Sequence, residues 1–185
     1  MVVTHLSSPE LEAGLGSIRD SPRDAGELQL IVRRPQVGER DVLEEARLDP
    51  AEGLVGDGWR ARIDGQATDE AAPDPDTQLT LMNARTAALV AQHPSRWALA
   101  GDQLYVDLDL SADNLPAGTR LAAGSAIIEI TAQPHTGCSK FVERFGVDAM
   151  KFVNSPTGRS LNLRGIYARV VQAGTVRRGD SLRKL

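Results

Sequence analysis

Short apolar segments separated by glycine-containing turns run along most of this chain, and they constrain its fold more than any other feature. The segment 28–32 alternates apolar and polar residues, as a strand with one buried face does. The same alternation recurs at 104–110, and shorter apolar runs lie at 119–121 and 126–131. Strands therefore outnumber helices and come in short pieces. This pattern predicts a mainly β protein with short helices (an α+β chain) built around a barrel or strongly bent sheet.

Three helices are also predicted. Apolar residues at helical spacing and frequent alanines indicate a helix over 79–92. A short helix is predicted over 140–145, with Ser139 as its N-cap and Gly146 closing it in the left-handed conformation. A second short helix is predicted over 147–153.

The ends of the chain and one loop define its predicted organisation. Residues 1–26 are polar and broken by proline and glycine, which predicts an extended arm. Residues 27–185 then form a single domain, whose final hairpin would join 163–172 to 175–178. Residues 64–77 are rich in Asp and Pro and nearly free of bulky apolar groups, which indicates an acidic surface loop.

Cysteine content and hydropathy indicate the compartment. The chain has 1 cysteine among its 185 residues, so it forms no internal disulfide. A free thiol suits a reducing compartment. The sequence shows neither a signal peptide nor an apolar run long enough to cross a membrane. These features predict a cytoplasmic protein that does not associate with a membrane.

Positive charge is concentrated toward the C-terminus. The net charge of the chain is −4, yet residues 135–185 carry 3 acidic and 10 basic residues. A focused positive field favours an anionic ligand. The alternative is a solvated basic face balanced by an acidic one elsewhere. Overall acidity and the scarcity of aromatic residues for base stacking argue against a nucleic-acid partner.

The segment 134–140, with the sequence PHTGCSK, is the sharpest chemical feature. Cys138 lies immediately before a predicted helix, where free N–H groups and the helix dipole stabilise a thiolate. Lys140 and Arg144 add positive charge nearby, and His135 is placed to approach the sulfur or its ligand. A thiolate in this setting is a nucleophile and a soft-metal ligand. The alternative is a buried cysteine that acts only as a small apolar residue.

Several other classes of site have no matching motif. No histidine has a second ligand at zinc spacing, and the single cysteine cannot form an iron–sulfur cluster. The sequence has no G-x-S-x-G element, no Walker phosphate loop and no dinucleotide glycine fingerprint. Zinc, iron–sulfur, hydrolase and nucleotide chemistry are therefore not predicted.

Four segments taken together resemble the MOSC family, which is named for the C-terminal domain of molybdenum-cofactor sulfurases. The segments are GLVGDGW (53–59), GDQLYVDLDLSADNLPAGTRLAAGSAIIEIT (101–131), PHTGCSKF (134–141) and LRGIYARVVQAGTVRRGD (163–180). The chain is most similar in layout to the small bacterial stand-alone members. The resemblance implies a compact β-barrel-like fold and identifies Cys138 as the family cysteine.

The resemblance also implies a chemistry. In related proteins the cysteine binds the molybdenum of a pterin cofactor, or is proposed to carry sulfur as a persulfide. Members with the cofactor reduce N-hydroxylated compounds such as hydroxylamino-purines and amidoximes. The leading hypothesis is therefore a molybdopterin-dependent oxidoreductase, with molybdenum bound to Cys138 and with His135 and Lys140 as further catalytic candidates.

The remaining site residues are expected to hold this cofactor. Basic side chains, namely Lys140, Arg144 and Arg164, are candidates for its phosphate. Hydrogen bonds to the pterin or to the substrate are expected from Asp102, Asn114 and Asn154.

Two alternatives stay open. Cys138 could carry a sulfane sulfur or deliver a cofactor without turnover, or the chain could be an interaction protein that docks through its basic 135–185 face. Because the sequence shows no pyridoxal domain and no electron-transfer centre, a redox or sulfur-donor protein would be a partner. A monomer and a homodimer are both compatible with the sequence.

Overall fold

A closed barrel with helices on its outer surface is the architecture of the computed structural model, which describes residues 3–61 and 73–185. The strands are β1 (Ala25–Arg33), β2 (Asp41–Leu43), β3 (Glu45–Asp49), β4 (Gly53–Leu54), β5 (Leu79–Asn83), β6 (Leu104–Val106), β7 (Arg120–Ala123), β8 (Ala126–Ile130), β9 (Ile166–Gln172), β10 (Gly174–Arg177) and β11 (Ser181–Lys184). The α-helices are α1 (Ser8–Ala13), α2 (Leu15–Arg19), α3 (Ala84–Ala91), α4 (Ser139–Phe145), α5 (Val147–Asn154) and α6 (Pro156–Ser160). Two 3-10 helices cover Pro75–Thr77 and Pro94–Ala100.

Seven strands close the barrel in the order β11-β7-β8-β9-β5-β6-β1, and β1 pairs back with β11. β2 extends the sheet beyond β1, and β10, β3 and β4 form a small second sheet. The pairing of β5 with β6 is parallel, whereas the other pairings described are antiparallel. The predicted mainly β fold with short helices is confirmed.

The barrel interior is almost entirely aliphatic. Alternate residues of β8 and β9 point inward, and Ile128, Ile130, Ala168 and Val170 are all buried. They pack with leucines from the other strands into one cluster. Full burial of each such Leu, Val or Ile side chain contributes roughly 1.5–3 kcal/mol.

A second apolar cluster lies on the outer face of β5 and β6. Met82 and Tyr105 point away from the barrel interior and pack with residues of α3, α4 and α5. Phe141 and Phe145 of α4 are buried here, with ring centroids 4.9 Å apart. This packing fixes α4 against the barrel, and with it the position of Cys138.

The N-terminal segment differs from the predicted extended arm. It forms α1 and α2, which bury Leu11 and Ile18 in the second cluster. Ser7 and Glu10 form a capping box at the start of α1. The sequence does carry this signal, since Ser followed three residues later by Glu is typical of a helix N-terminus.

The predicted helix over 79–92 is half strand. Leu79–Asn83 forms β5, and the helix begins only at Ala84. The side chain of Asn83 accepts hydrogen bonds from the N–H groups of Arg85 and Thr86, which starts the helix there. A short apolar run fits a buried strand as well as a helix, and pairing with two neighbouring strands selects the strand.

The predicted final hairpin is also wrong. β9 pairs with β5 and β8 in the barrel, whereas β10 pairs with β3 in the small sheet. At Gly174 the chain passes so close to β8 that an added Cβ would lie 2.3 Å from the backbone nitrogen of Ala126. The two strands therefore separate at the turn that was expected to join them.

Two further expectations concern the loop and the membrane. Of the predicted acidic loop 64–77, residues 73–77 are described and include the 3-10 helix Pro75–Thr77, while 64–72 lie outside the described residues. Among the helices of the described ranges, none is both long and apolar enough to cross a lipid bilayer.

Candidate functional site

Cys138 is the N-cap residue of α4, and its side chain is exposed. Its carbonyl oxygen accepts hydrogen bonds from the N–H groups of Phe141 and Val142 at 2.9 and 3.1 Å. The predicted position just before the helix is therefore observed, although Ser139 begins the helix instead of capping it. Because the thiol is exposed, it does not serve as a small buried apolar residue.

The helix after Cys138 ends differently from the prediction. Gly146 has φ 92° and ψ 163°, which is a positive φ outside the left-handed helical region. It turns the chain directly from α4 into α5. Lys140 lies exposed on the first turn of α4, and Arg144 lies on the last.

A buried ion pair lies beneath α4. Arg164 donates a hydrogen bond from Nη1 to Oδ2 of Asp102 at 2.6 Å and from Nη2 to the carbonyl of Ala100 at 2.9 Å. The guanidinium also lies over the ring of Phe141, with its central carbon 5.2 Å from the centroid. Arg164 thereby connects α4 to the chain entering β6.

Next to this pair, two buried polar atoms have no hydrogen-bond partner among the described residues. They are Oδ1 of Asp102 and Nδ1 of His135. They lie 3.7 Å apart, which is too long for a hydrogen bond. An added Cβ on Gly165, whose φ is +110°, would lie 3.2 Å from Oδ1 and 3.3 Å from Nδ1. Both atoms therefore lie against the backbone of Gly165, where a side chain would crowd them.

Burial controls the charge of these groups. Desolvation lowers the pKa of His135 well below its usual value, and the positive charges of Arg164 and Arg34 lower it further. The imidazole is therefore neutral at pH 7, and its ring packs on Tyr167 at a centroid distance of 4.6 Å. Desolvation raises the pKa of Asp102, while Arg164 opposes that shift.

The glycine-rich turn 53–59 contributes a second buried ion pair. Asp57, whose side chain is fully buried, accepts hydrogen bonds from the backbone N–H, Nε and Nη2 of Arg34. It also accepts one from the backbone of Trp59. Held in this way, Arg34 donates from Nη1 to the carbonyl of Gly101 at 3.0 Å. Sequence reasoning missed this pair, because Arg34 and Asp57 lie on separate segments.

Further arginines converge on Gly101. Nη2 of Arg40 and Nη1 of Arg144 each lie 3.7 Å from the position that a Cβ would take on Gly101. Arg144 also donates to the carbonyl of Leu99 at 2.7 Å. We call Arg34, Arg40, Arg144 and Arg164 the arginine cluster. It places positive charge beside the helix that begins at Cys138.

A family model describing the MOSC domain matches residues 72–183. The chain belongs to the MOSC domain family. No curated protein matches it significantly in sequence.

Solved structures show the same fold. The YuaD protein from Bacillus subtilis is 16% identical, with a TM-score of 0.61 over 85% of this chain and 94% of that one. YiiM from Escherichia coli is 22% identical, with a TM-score of 0.54 over 86% of this chain and 69% of that one. YiiM from Geobacillus stearothermophilus is 15% identical, with a TM-score of 0.53 over 89% and 74%.

Two of the predicted site residues of this MOSC domain have other hydrogen-bond partners. Asn114 donates to the carbonyls of Arg23 and Asp109 and accepts from Lys184, so its amide joins three segments on the barrel surface. Asn154 pairs with the backbone of Gly137 in the loop before Cys138. The structure thus joins Asp102, Arg164 and His135 and does not bring Asn114 to them.

Much of the basic C-terminal segment is paired with acids. Arg169, Arg177 and Arg178 form ion pairs with acidic side chains, as the contacts Arg169–Glu129, Arg177–Glu45 and Arg178–Glu44 show. On these strands the alternative of a balanced surface describes the molecule better than an anion-binding face. In the arginine cluster, Arg34 and Arg164 also have acidic partners, which are buried.

The described residues contain no group of three or more His, Cys, Asp or Glu side chains placed to hold a metal ion. Cys138 therefore stands as a single soft ligand. A metal bound there would need most of its ligands from a cofactor.

Proposed function

We propose that this MOSC protein binds an anionic molybdenum–pterin cofactor beside Cys138 and reduces N-hydroxylated compounds with electrons from a partner protein. One observation carries the proposal: an exposed cysteine begins the helix whose other end reaches a cluster of four arginines. A soft ligand and an anion-binding group thus lie at opposite ends of α4, roughly 9 Å apart along its axis.

The donor set fits such a cofactor. Thiolate sulfur is a ligand that soft metals prefer, and the side chain of Cys138 is exposed to receive one. Guanidinium groups bind phosphate through paired charged hydrogen bonds. The side chain of Arg144 reaches Gly101 and Leu99, where it can meet a phosphate together with Arg34.

The two buried atoms that lack hydrogen-bond partners among the described residues, on Asp102 and His135, also have a role in this proposal. Oδ1 of Asp102 is an acceptor, and neutral His135 offers a second one when its proton is on Nε2. A pterin edge or an amidine-like substrate presents N–H groups. Because both atoms are buried, such a group would reach them only after the side chains that cover them move, and the free-energy cost of a buried acceptor without a partner would favour that contact.

When bound, the cofactor supplies a redox-active metal suited to the reductive cleavage of an N–O bond. The chain would provide the setting for that chemistry. Cys138 would hold the metal, and the arginine cluster would fix the phosphate. His135, whose lowered pKa keeps the imidazole neutral, would offer one hydrogen-bond donor and one acceptor to a bound group. Lys140 would add positive charge at the mouth of the site.

Electrons would come from a separate redox protein, since the sequence carries no centre that stores them. A lone exposed thiol persists in a reducing compartment, so we place the activity in the cytoplasm. The identity of the N-hydroxylated substrate is left to the assay below.

The proposal is tested by expression in a host that makes the cofactor. Molybdenum is measured by mass spectrometry and pterin by its fluorescence after oxidation, in the wild type and in Cys138→Ser. We expect near-stoichiometric molybdenum in the wild type, a strong loss in the variant, and reduction of an amidoxime by the wild type with an artificial electron donor. A wild type without molybdenum, or an unchanged metal content in Cys138→Ser, would contradict the proposal.

The exposure of Cys138 also favours a second function, that of a sulfur carrier. In that case the Cys138 thiolate would attack the outer sulfur of a donor persulfide, so that its S–S bond breaks, the donor leaves as a thiolate and Cys138 becomes the persulfide. Mass spectrometry after incubation with the donor would show the gain of one sulfur atom on Cys138, removed again by a reductant. An unmodified Cys138 under these conditions would exclude this role.

A further inference from the structure

The side chain of Asn154 is paired with a single residue of the loop that carries Cys138. Its Oδ1 accepts a hydrogen bond from the N–H of Gly137 at 2.9 Å, and its Nδ2 donates to the carbonyl of Gly137 at 3.2 Å. We infer that Asn154 is a positioning residue, which fixes Cys138 at the start of α4 by clamping the preceding peptide. This inference rests on the proposed function, in which Cys138 is the reactive group.

The clamp matters because this loop has little else to hold its backbone. In the part of the chain that the structure describes, Gly137 makes the only hydrogen bonds formed by the backbone of residues 134–137. The carbonyl of Cys138 is then committed to the first turn of α4. Without Asn154 the chain between β8 and α4 would lose its one polar attachment to α5.

Local sequence explains why Asn154 is free to do this. α5 ends at Asn154, and Ser155 caps the next helix by accepting a hydrogen bond from the N–H of Gly158 at 2.9 Å. An added Cβ on Gly158 would lie 2.2 Å from the carbonyl oxygen of Phe152, so glycine permits this tight turn. Arg159 donates to the carbonyl of Asn154 at 3.0 Å. The segment 154–158 thus stops α5 with the amide of Asn154 facing the loop.

Gly137 completes the clamp from the other side. An added Cβ there would lie 3.1 Å from Cγ2 of Val153 and 3.4 Å from both Nδ2 of Asn154 and Cγ of Met150. The 3.1 Å separation is tighter than ordinary van der Waals contact, so an alanine would require Val153 or the loop to shift by a few tenths of an ångström. Gly137→Ala is therefore a second, independent way to open the same contact.

The test uses the fact that Cys138 is the only cysteine, so thiol chemistry reports on it alone. The rate of modification is measured with an anionic disulfide, Ellman's reagent, and with neutral iodoacetamide. A thiol held at the N-terminus of α4, two residues before the exposed Lys140, favours the anionic reagent, because the helix dipole and the local positive charge attract anions. We expect Asn154→Ala and Gly137→Ala each to lower the ratio of the rate with Ellman's reagent to the rate with iodoacetamide by roughly threefold or more.

The matched control is Ser160→Ala, which removes a side-chain hydrogen bond within α6 but none to the loop. Its ratio should equal that of the wild type. In the double variant Asn154→Ala/Gly137→Ala the ratio should fall no further than in the more affected single variant, since both changes break one contact.

An unchanged ratio in a folded Asn154→Ala would overturn the inference. A parallel rise of both modification rates would also overturn it, because it would mean a general loosening of the loop. Additive changes of the rate ratio in the double variant would overturn it too. The measurement uses apo-protein. If the wild type binds no molybdenum but the variants lower the rate ratio, the proposed function is refuted and the role of Asn154 in positioning Cys138 still stands.

Discussion

Arg177, the last residue of β10, and Arg178, which follows it, form ion pairs with solvent-exposed carboxylates. Two arginines of the arginine cluster instead form ion pairs with carboxylates that are fully buried. The side chains of Arg177 and Glu45 are 67% and 53% exposed. Those of Asp57 and Asp102, the partners of Arg34 and Arg164, are fully buried. The chain therefore forms arginine–carboxylate pairs at two very different energetic costs.

This difference teaches where to look for the site. An exposed pair contributes little to folding, since solvent screens it and its side chains lose entropy. The attraction within a buried pair must offset the desolvation of both charges, so the pair adds little net stability. Among the residues that the structure describes, Oδ1 of Asp102 and Nε of Arg164 even lack hydrogen-bond partners. We therefore place the proposed ligand near the buried pairs and not near the exposed ones.

Among the substitutions that test this comparison, Asp102→Ala is expected to lower the free energy of unfolding most. It leaves the guanidinium of Arg164 buried without its carboxylate, which costs about 3–5 kcal/mol of unfolding free energy. Urea denaturation measures the loss. The exposed counterpart, Glu44→Ala, should leave stability unchanged within error. Equal effects of the two substitutions would show that burial of the pair has no energetic consequence.

A somewhat smaller effect is expected from Gly165→Ala. Its φ of +110° disfavours a side chain, and the new Cβ would lie 2.4 Å from the carbonyl oxygen of Leu81. We expect a loss of about 3 kcal/mol. Gly179→Ala is the control, because it has φ +90° but no atom within 4 Å of the added Cβ. It should lose only about 1 kcal/mol, measured by the same denaturation.

The effect of Asp57→Ala should be next in size. It removes the acceptor of four hydrogen bonds, but the side chain of Arg34 is 22% exposed and can turn toward water. A loss of about 2 kcal/mol is expected. Glu45→Ala breaks an exposed pair of the same type and should have no measurable effect. A silent Asp57→Ala would mean that Arg34 is held by other contacts.

The smallest expected effect is on the pH dependence of stability. The folded state lowers the pKa of His135, so below about pH 6.5 the unfolded chain binds a proton that the folded chain does not. Stability should therefore fall as the pH drops from about 7.5 to 5.5. Desolvation of Asp102 acts in the opposite direction at lower pH, since its pKa is raised.

His135→Gln should flatten this profile, and His5→Gln, a change at an exposed histidine, should not. Melting temperature followed across the pH range distinguishes them. A wild-type profile that is already flat would indicate that His135 gains a proton in the folded state.

Features of the molecule with short-range causes could be predicted from the sequence. The alternation in β1 and β6 and the short apolar runs of β7 and β8 identified strands, and the position of Cys138 before a helix followed from the residues around it. The position of the strand-to-helix change at Asn83 could not be predicted, because the segment LTLM fits either a strand or a helix until neighbouring strands pair with it. The separate partners of β9 and β10 likewise depend on contacts distant in sequence.

The site divides in the same way. Cys138, His135 and Lys140 stood out because they share one segment. The pair Arg34–Asp57 did not, since a glycine-rich turn gives no indication of which arginine its acid will bind. Asn154 was singled out as a pterin ligand, while its contact with Gly137 depends on how α5 packs against the loop.

Pterin content in two arginine variants tests most directly whether the arginine cluster is the cofactor's anion site. Arg144 lies in that cluster, and Arg178 lies in an exposed ion pair. Purified from a host that makes the cofactor, Arg144→Gln should retain at most roughly one fifth of the wild-type pterin, because a charged hydrogen bond to phosphate is lost. Arg178→Gln should retain the wild-type content. Equal pterin content in the two variants would contradict the account.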